Sequence, residues 1–272
     1  MRRVNGSVDA EDKDSLAVEE PLEIRVENRS VAVVMRTPGE DGELAAGFVV
    51  TEGLVHTAGD IVDIAYSPHC LLPTPDYAGL AEGNLVNVRL KKPESVDLKK
   101  LTRHVFTSSS CGICSKASIE AVRQQFAPIN DDVEIEAKVL LGLPDALASA
   151  QETFKRTGGL HACALFDADG HLLVLREDVG RHNALDKVVG WALLGNRLPL
   201  RHHILLLSGR TSFEMMQKAL AAGIPIVAAI SAPSSLAVDF ARESGQTLVG
   251  FLRGERMNIY AGAGRVLGLA SP

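Results

Sequence analysis

The second half of the chain sets the tightest limit on what it can fold into. Apolar runs of strand length alternate there with single segments of helical spacing: strand 203–207 (HILLL), helix 211–222, strand 224–230 (IPIVAAI), helix 234–243 and strand 247–252 (TLVGFL). Strands buried on both faces read as continuous apolar runs, and one helix between two of them makes a right-handed crossover to a parallel neighbour. Upstream, 161–166 and 171–176 flank Asp167-Ala168-Asp169-Gly170 and read as a hairpin, with a helix candidate at 146–156 before it and a helix over 182–194 after it. This order predicts an α/β fold: a three-layer α/β/α sandwich on a mostly parallel sheet, with the hairpin as an antiparallel edge.

The first half is more mixed. Residues 31–36 (VAVVMR) read as a strand, 42–52 (GELAAGFVVTE) has helical spacing, and 84–90 (NLVNVRL) alternates as a strand does. The stretch 67–83, with Pro68, Pro73 and Pro75, reads as loop. Residues 1–22 are polar and acidic, which predicts a disordered arm. The expected division is therefore an arm at 1–22, a small α+β domain at 23–103 and an α/β domain at 104–272. No internal repeat or low-complexity stretch interrupts it.

With 272 residues, 46% of them hydrophobic, the chain can bury a sizeable core, and with aromatics at 4% Val, Leu, Ile and Ala must fill it. A net charge of −6 argues against general nucleic-acid binding. No apolar run approaches the length of a membrane span, and residues 1–22 lack the apolar segment of a secretory signal. A cytoplasmic location follows as an expectation. In that reducing compartment the four cysteines, Cys70, Cys111, Cys114 and Cys163, are not expected to form structural disulfides.

Cys111-Gly112-Ile113-Cys114 is the strongest chemical signal. It follows the hydroxyl-rich run Thr107-Ser108-Ser109-Ser110, and helical spacing then continues to about residue 126. A thiolate at a helix N-terminus faces unpaired N–H groups and the positive end of the dipole, which lower its pKa and make it nucleophilic. Residues i and i+3 share a helix face, so Cys114 reaches a group held on Cys111. This suits attack on a sulfane sulfur to give a persulfide, with the second cysteine as resolving thiol. A structural zinc site needs four ligands, and here Cys70, Cys163 or a histidine would have to complete one CxxC. A thioredoxin-like site lacks a clear preceding strand. A zinc deaminase needs H-x-E and P-C-x-x-C, whereas Ser110 precedes Cys111 and no histidine is followed two positions later by glutamate.

Three polar segments stand where strand gives way to helix: 176–183 (REDVGRHN), 208–212 (SGRTS) and 231–235 (SAPSS). In an open α/β sheet such segments gather on the edge where anionic ligands bind. Arg181 and Arg210 suit phosphates, Ser208, Gly209, Ser231 and Ser234 add donors or close approach, and Asp178 suits acceptance from a base or ribose. Taken singly, Ser212 and Ser234 read equally well as helix caps, and Gly180 and Gly209 as turn formers. After the last strand come Phe251, Leu252, Arg253, Gly254, Glu255 and Arg256, by default a solvated loop, whose two arginine forks also match a pyrophosphate.

Together these residues resemble the FdhD family of formate dehydrogenase accessory sulfurtransferases. The resemblance runs through 44–53 (LAAGFVVTEG), 106–114 (FTSSSCGIC), 158–161 (GGLH), 177–190 (EDVGRHNALDKVVG), 208–213 (SGRTSF), 231–236 (SAPSSL) and 247–251 (TLVGF). It implies a cytoplasmic homodimer whose larger domain has a cytidine-deaminase-like fold without deaminase chemistry. It implies that sulfur passes from a cysteine desulfurase, through a persulfide at Cys111 and Cys114, to a molybdenum or tungsten bis(molybdopterin guanine dinucleotide) cofactor destined for formate dehydrogenase. GDP would mimic half of that cofactor's nucleotide portion. The family's cofactor-binding stretch after the last strand maps to Phe251–Arg256, and Ser115 stands where the family pattern C-G-x-C-G ends in glycine. The alternative from another class is a chaperone that holds the cofactor, with CxxC serving a metal or a redox sensor.

Overall fold

The structure, a computed structural model, describes residues 2–5, 8–11, 13–66, 83–95 and 126–269. Cys70, Cys111, Cys114 with their expected helix, and most of the proline-bearing stretch 67–83 lie outside the described residues.

The centre is a six-stranded sheet built from β8 (His161–Asp167), β9 (Leu172–Asp178), β10 (His203–Leu207), β11 (Ile226–Ala229), β12 (Thr247–Arg253) and β13 (Arg256–Ala261), in the order β13-β12-β11-β10-β8-β9. β10, β11 and β12 run parallel, as the βα alternation predicts, through α5 (Phe213–Ala221) and α6 (Ser235–Ser244). β8 runs antiparallel to both β10 and β9, and β13 antiparallel to β12. The sheet is therefore mixed, not mostly parallel. The β8–β9 turn is tied by the Asp167 carboxylate, which accepts from the Asp169 and His171 amides at 3.0 and 2.8 Å. β13 starts at the end of the expected solvated loop 251–256 and carries no strand signal in the sequence, because its Arg, Asn and Tyr lie on a half-exposed edge.

Both faces of this sheet are covered, and the residues alternate accordingly. Cys163, Leu165, Leu205, Leu207, Val227 and Ala229 pack with α5, α6 and α4 (Arg181–Leu194), whereas Ala162, Ala164, Phe166, Ile204, Leu206 and Ile226 pack with α2 (Ala137–Ala150). α2 runs through Pro144, which reads as a breaker, because Leu140, Leu143 and Leu147 seal the second face; it stops at Gln151, and α3 (Glu152–Thr157) follows.

Residues 2–11 form a small hairpin of β1 (Arg2–Asn5) and β2 (Val8–Glu11). Regular structure of the main body starts with β3 (Glu20–Val26), so Leu22, 0% exposed, belongs to the core and not to a disordered arm. β3, β4 (Arg29–Arg36), β5 (Ile61–Tyr66) and β6 (Leu85–Leu90) make a four-stranded sheet in the order β4-β3-β6-β5. Its buried residues share one continuous apolar cluster with the α4 side of the large sheet. A further pair, β7 (Ile135–Glu136) with β14 (Val266–Leu267), is parallel. No described helix is long and apolar enough to cross a membrane.

The two units meet where α1 (Asp41–Thr51) crosses α4. The helices touch backbone to backbone: a Cβ added at Gly47 would sit 1.8 Å from the Asp186 carbonyl oxygen, and one at Gly190 would sit 1.8 Å from that of Glu43. Beside the crossing, Lys218 donates to both oxygens of Asp186 at 2.9 and 2.8 Å, and Thr51 Oγ1 donates to Asp186 Oδ1 at 2.9 Å. The carboxylate raises the Lys218 pKa against the opposing effect of burial, so the ammonium is held charged. Gly190→Ala should destabilise the protein by about 1–3 kcal/mol or more through overpacking against unyielding backbone. Urea unfolding would read this as a lower midpoint, and an unchanged midpoint would mean that the helices are not held at this separation.

Candidate functional site

The loops that follow β10, β11 and β12 are laced together at one edge of the large sheet. Ser208 donates its amide to the Ala162 carbonyl, and its hydroxyl accepts from the Ala162 amide at 2.9 Å. Thr211 donates its amide to the Ala232 carbonyl and accepts from the Ser234 amide. The Phe251 amide donates to the Ser231 carbonyl, so the β12–β13 hairpin is tied to the same edge. α4 joins it through the Gly180–Arg181 turn, where the Gly180 amide donates to Asp178 Oδ1 at 2.8 Å.

At this edge lie the four buried side-chain atoms that have no hydrogen-bond partner among the described residues: Arg181 Nε, His182 Nε2, Thr211 Oγ1 and Ser212 Oγ. Buried polar atoms are almost always paired, so four orphans together make this edge the candidate place for a ligand. Ser212 occupies the N-cap of α5 yet makes no side-chain cap bond, whereas Ser234 caps α6 by accepting from the Ala237 amide at 3.2 Å. His182 Nε2 lies 3.0 Å from Glu214 Oε2, but the pair is not aligned as a hydrogen bond. Arg210 is exposed beside them.

His161 begins β8 and stands against the Gly209 loop. A Cβ at Gly209 would be 3.2 Å from His161 Nδ1, so glycine permits this close approach. Burial lowers the His161 pKa first, and the cations Arg181, His182 and Arg210 lower it further, with Asp178 opposing. An edge whose own charges resist one more proton is electrostatically prepared for an anion.

The structure reassigns two of the expected site residues and closes one rival reading. Asp178 is 0% exposed and fully occupied. Its Oδ1 accepts from the Gly180 amide and from Asn183 Nδ2, its Oδ2 accepts from the Thr37 amide at 3.1 Å, and Oδ2 is ion-paired with Lys187 Nζ at 2.9 Å. Wholly buried, it holds the site's turn in place and is out of a ligand's reach. Leu252 is also 0% exposed and belongs to the α2 side of the core, because it points inward on β12. Cys163, a candidate fourth zinc ligand, is buried with its Sγ 3.8 Å from the Arg181 carbonyl, and burial pushes its thiol pKa up, so it is not a ligand in waiting.

The rest of the tail is accessible. Phe251, Arg253, Gly254, Glu255 and Arg256 are exposed, and Arg253 pairs with Arg256 across the hairpin. Phe251 has φ 53, a left-handed conformation that costs energy for an aromatic residue, and the Arg253 guanidinium lies 5.6 Å from its ring centroid. His161, Thr211 and Glu214 were not singled out by the sequence. The one signal in the chain for His161 is that it opens a strand within GGLH, opposite the glycine of SGR.

The fold and the edge thus define a mixed α/β protein with a basic, partly unsatisfied binding edge. The FdhD/NarQ family model matches residues 17–267, and the chain belongs to that family. Among its relatives, the "Sulfur carrier protein FdhD" of Mycolicibacterium paratuberculosis is 53% identical over 255 residues, covering 93% of this chain and 92% of the relative. That of Saccharolobus solfataricus is 40% identical and covers 97% and 95%. A crystal structure from Desulfotalea psychrophila, described as a candidate formate dehydrogenase accessory protein, superposes with a TM-score of 0.74 at 26% identity over 98% of this chain and 97% of that one.

The electrostatics yield a titration test. An anion at this edge should raise the His161 pKa towards or above its ordinary value of about 6.5, with uptake of a proton. NMR titration of the His161 ring with and without pyrophosphate would measure it, and an identical titration in both samples would remove the anion from this edge. The sign for stability follows. Because the folded-state pKa is depressed, His161 contributes stability above its unfolded value that is lost as pH falls through the folded one, and the anion should lessen that loss.

Proposed function

We propose that this protein is a sulfur carrier that serves formate dehydrogenase and hands sulfur from a cysteine desulfurase to a molybdenum or tungsten bis(molybdopterin guanine dinucleotide) cofactor. The observation that carries the reading is the full-length relationship, at 40–53% identity, to proteins named sulfur carriers. It is joined by the CxxC pair and by an edge whose orphaned polar atoms fit the phosphates and base of a nucleotide.

In this reading the Cys111 thiolate attacks the outer sulfur of the desulfurase's cysteine persulfide. The S–S bond there breaks, the desulfurase cysteine leaves as thiolate, and Cys111 becomes the persulfide. The Cys114 thiolate then attacks Cys111 Sγ, the outer sulfur departs as hydrosulfide for the cofactor, and a Cys111–Cys114 disulfide forms, which a thiol reductant returns to the dithiol. The cofactor is the client and not a resident group. Arg181 and Arg210 neutralise its phosphates, and Arg253 and Arg256 offer forks for the remaining oxygens. Cytoplasmic location and a homodimer belong to the same reading.

Incubation with a cysteine desulfurase and cysteine should add the mass of one sulfur to the peptide that carries Cys111 and Cys114, by mass spectrometry of the intact and digested protein. Labelling that survives loss of both cysteines would sink the mechanism. Arg210→Ala should weaken GDP binding by roughly 1.5–3 kcal/mol in calorimetry, as expected for one charge-assisted contact. The Arg253→Ala/Arg256→Ala protein should load sulfur as wild type does yet fail to activate formate dehydrogenase in cells lacking the native protein. Normal activation would take both arginines out of the site, and lost loading would make them a docking surface for the desulfurase.

A further inference from the structure

A groove of about 500 Å³ lies away from the binding edge, between the first turn of α1, the strand β5 and the end of α4. Val62 and Tyr66, each 58% exposed, and the exposed Leu194 give it apolar walls. β5 ends the small sheet, so one of its backbone edges pairs with no described strand. An open strand edge beside exposed apolar side chains is a surface that another chain can cover. Among the described residues the lining holds three carboxylates, Glu40, Glu43 and Asp63, and no cation. Glu43 is neutralised by Arg176, which donates to both of its oxygens at 2.6 and 2.8 Å. The other two keep their charge. Lys187 is spent on Asp178 at 2.9 Å and stands 3.8 Å from the exposed Glu40. Asp63 lies opposite Arg89 across the β5–β6 ladder, yet forms no hydrogen bond or ion pair among the described residues.

The charge pattern selects the occupant. An apolar groove with an uncompensated carboxylate on α1 and another on β5 fits an apolar side chain flanked by lysine or arginine, and it repels an acidic segment. The place of the groove selects the partner. Arg181 and Leu194 are the two ends of α4, so about 20 Å of helix separates the binding edge from the groove. A protein seated in the groove leaves that edge open to the cofactor. The protein that receives the cofactor has to meet the edge, whereas the protein that gives sulfur does not. Resting on the sulfur-carrier reading above, we propose that this groove is the docking site of the cysteine desulfurase, which presents to it a basic segment with an apolar residue at its centre. The attraction of Glu40 and Asp63 acts mainly on the rate of encounter and is screened by salt, whereas the contact with Val62, Tyr66 and Leu194 is not.

The test follows sulfur loading of Cys111 and Cys114 by mass spectrometry at increasing desulfurase concentration, in low and in high salt. Inorganic polysulfide serves as a donor that needs no docking. The Glu40→Gln/Asp63→Asn protein should need about fivefold more desulfurase for half-maximal loading in low salt, as the loss of two exposed charge contacts implies, and the gap should close in high salt. Val62→Ser should raise the requirement at both salt concentrations. Thermal melts check that both variants keep the fold, and both should match wild type in loading from polysulfide and in GDP binding. Loading of both variants from the desulfurase as in wild type overturns the proposal. So does an equal loss with polysulfide, which would place the defect at the cysteines. Normal loading with failed activation of formate dehydrogenase overturns it too, because the groove would then serve the recipient. If wild type takes sulfur from polysulfide but none from the desulfurase, the donor step of the proposed function falls and this docking site with it. If wild type and variants load alike from the desulfurase, the donor step stands and only the groove is lost.

Discussion

The buried carboxylate of Asp178 is the constraint on which the binding edge depends. It lies at the end of β9, wholly out of water, and its charge is met by Lys187, itself 0% exposed on α4. A charge pair this deep contributes little net stability relative to an apolar pair of the same volume, but breaking it by removing one partner typically costs about 3–5 kcal/mol. Its value lies in direction. Through the Gly180 amide and Asn183 the carboxylate fixes the turn that starts α4, and through the Thr37 amide it fixes the end of β4 to that turn. Lys187 returns a bond to the Thr37 carbonyl, and Asn183 another to that of Met35. With the backbone of the turn so held, Arg181 and His182 are aimed at the edge with polar atoms to spare.

α4 carries the rest of the assembly as well. The same stripe of the helix, at i+3 and i+7 from Asn183, holds Asp186 against Lys218 and Thr51 and Gly190 against Glu43, so a single helix is bonded to both sheets and to α1 and α5. This explains why so many polar residues of the 177–190 segment are consumed by structure. Asp178, Asn183, Asp186 and Lys187 tie elements together, and Arg181 and His182 remain for chemistry. A rigid frame with a few unsatisfied donors is what a preorganised binding site requires, since little has to be ordered when the ligand arrives.

The βα alternation from β10 to β12 was legible because a period-two apolar run and a 3.6-residue stripe are different signals, and both are strong there. β13 was not, because RMNIYA on a half-exposed edge looks like any polar tail. The loops of the edge were legible as a group, since polar segments between strand and helix can only gather on one side of a sheet. The role of each side chain was not. Sequence cannot tell that Ser234 spends its hydroxyl on a cap while Ser212 does not, or that Asp178 is held by the Thr37 amide while Glu214 faces His182. The Thr37–Asp178 bond and the His182–Glu214 pair join distant parts of the chain, and such contacts leave no mark in composition or spacing. The CxxC pair is the reverse case: its chemistry is plain in the sequence, and its position lies outside the described residues.

The central claim is that the nucleotide end of the client docks on the edge formed by the turn at the start of α4 and the loop at the start of α5. Hydrogen–deuterium exchange with and without GDP tests it most directly, because the claim specifies which backbone amides become protected. The account predicts slower exchange at residues 179–184 and 208–216 in the presence of GDP, with the α2 face of the sheet unchanged. Protection confined to other parts of the chain, with these two segments exchanging as before, would contradict it.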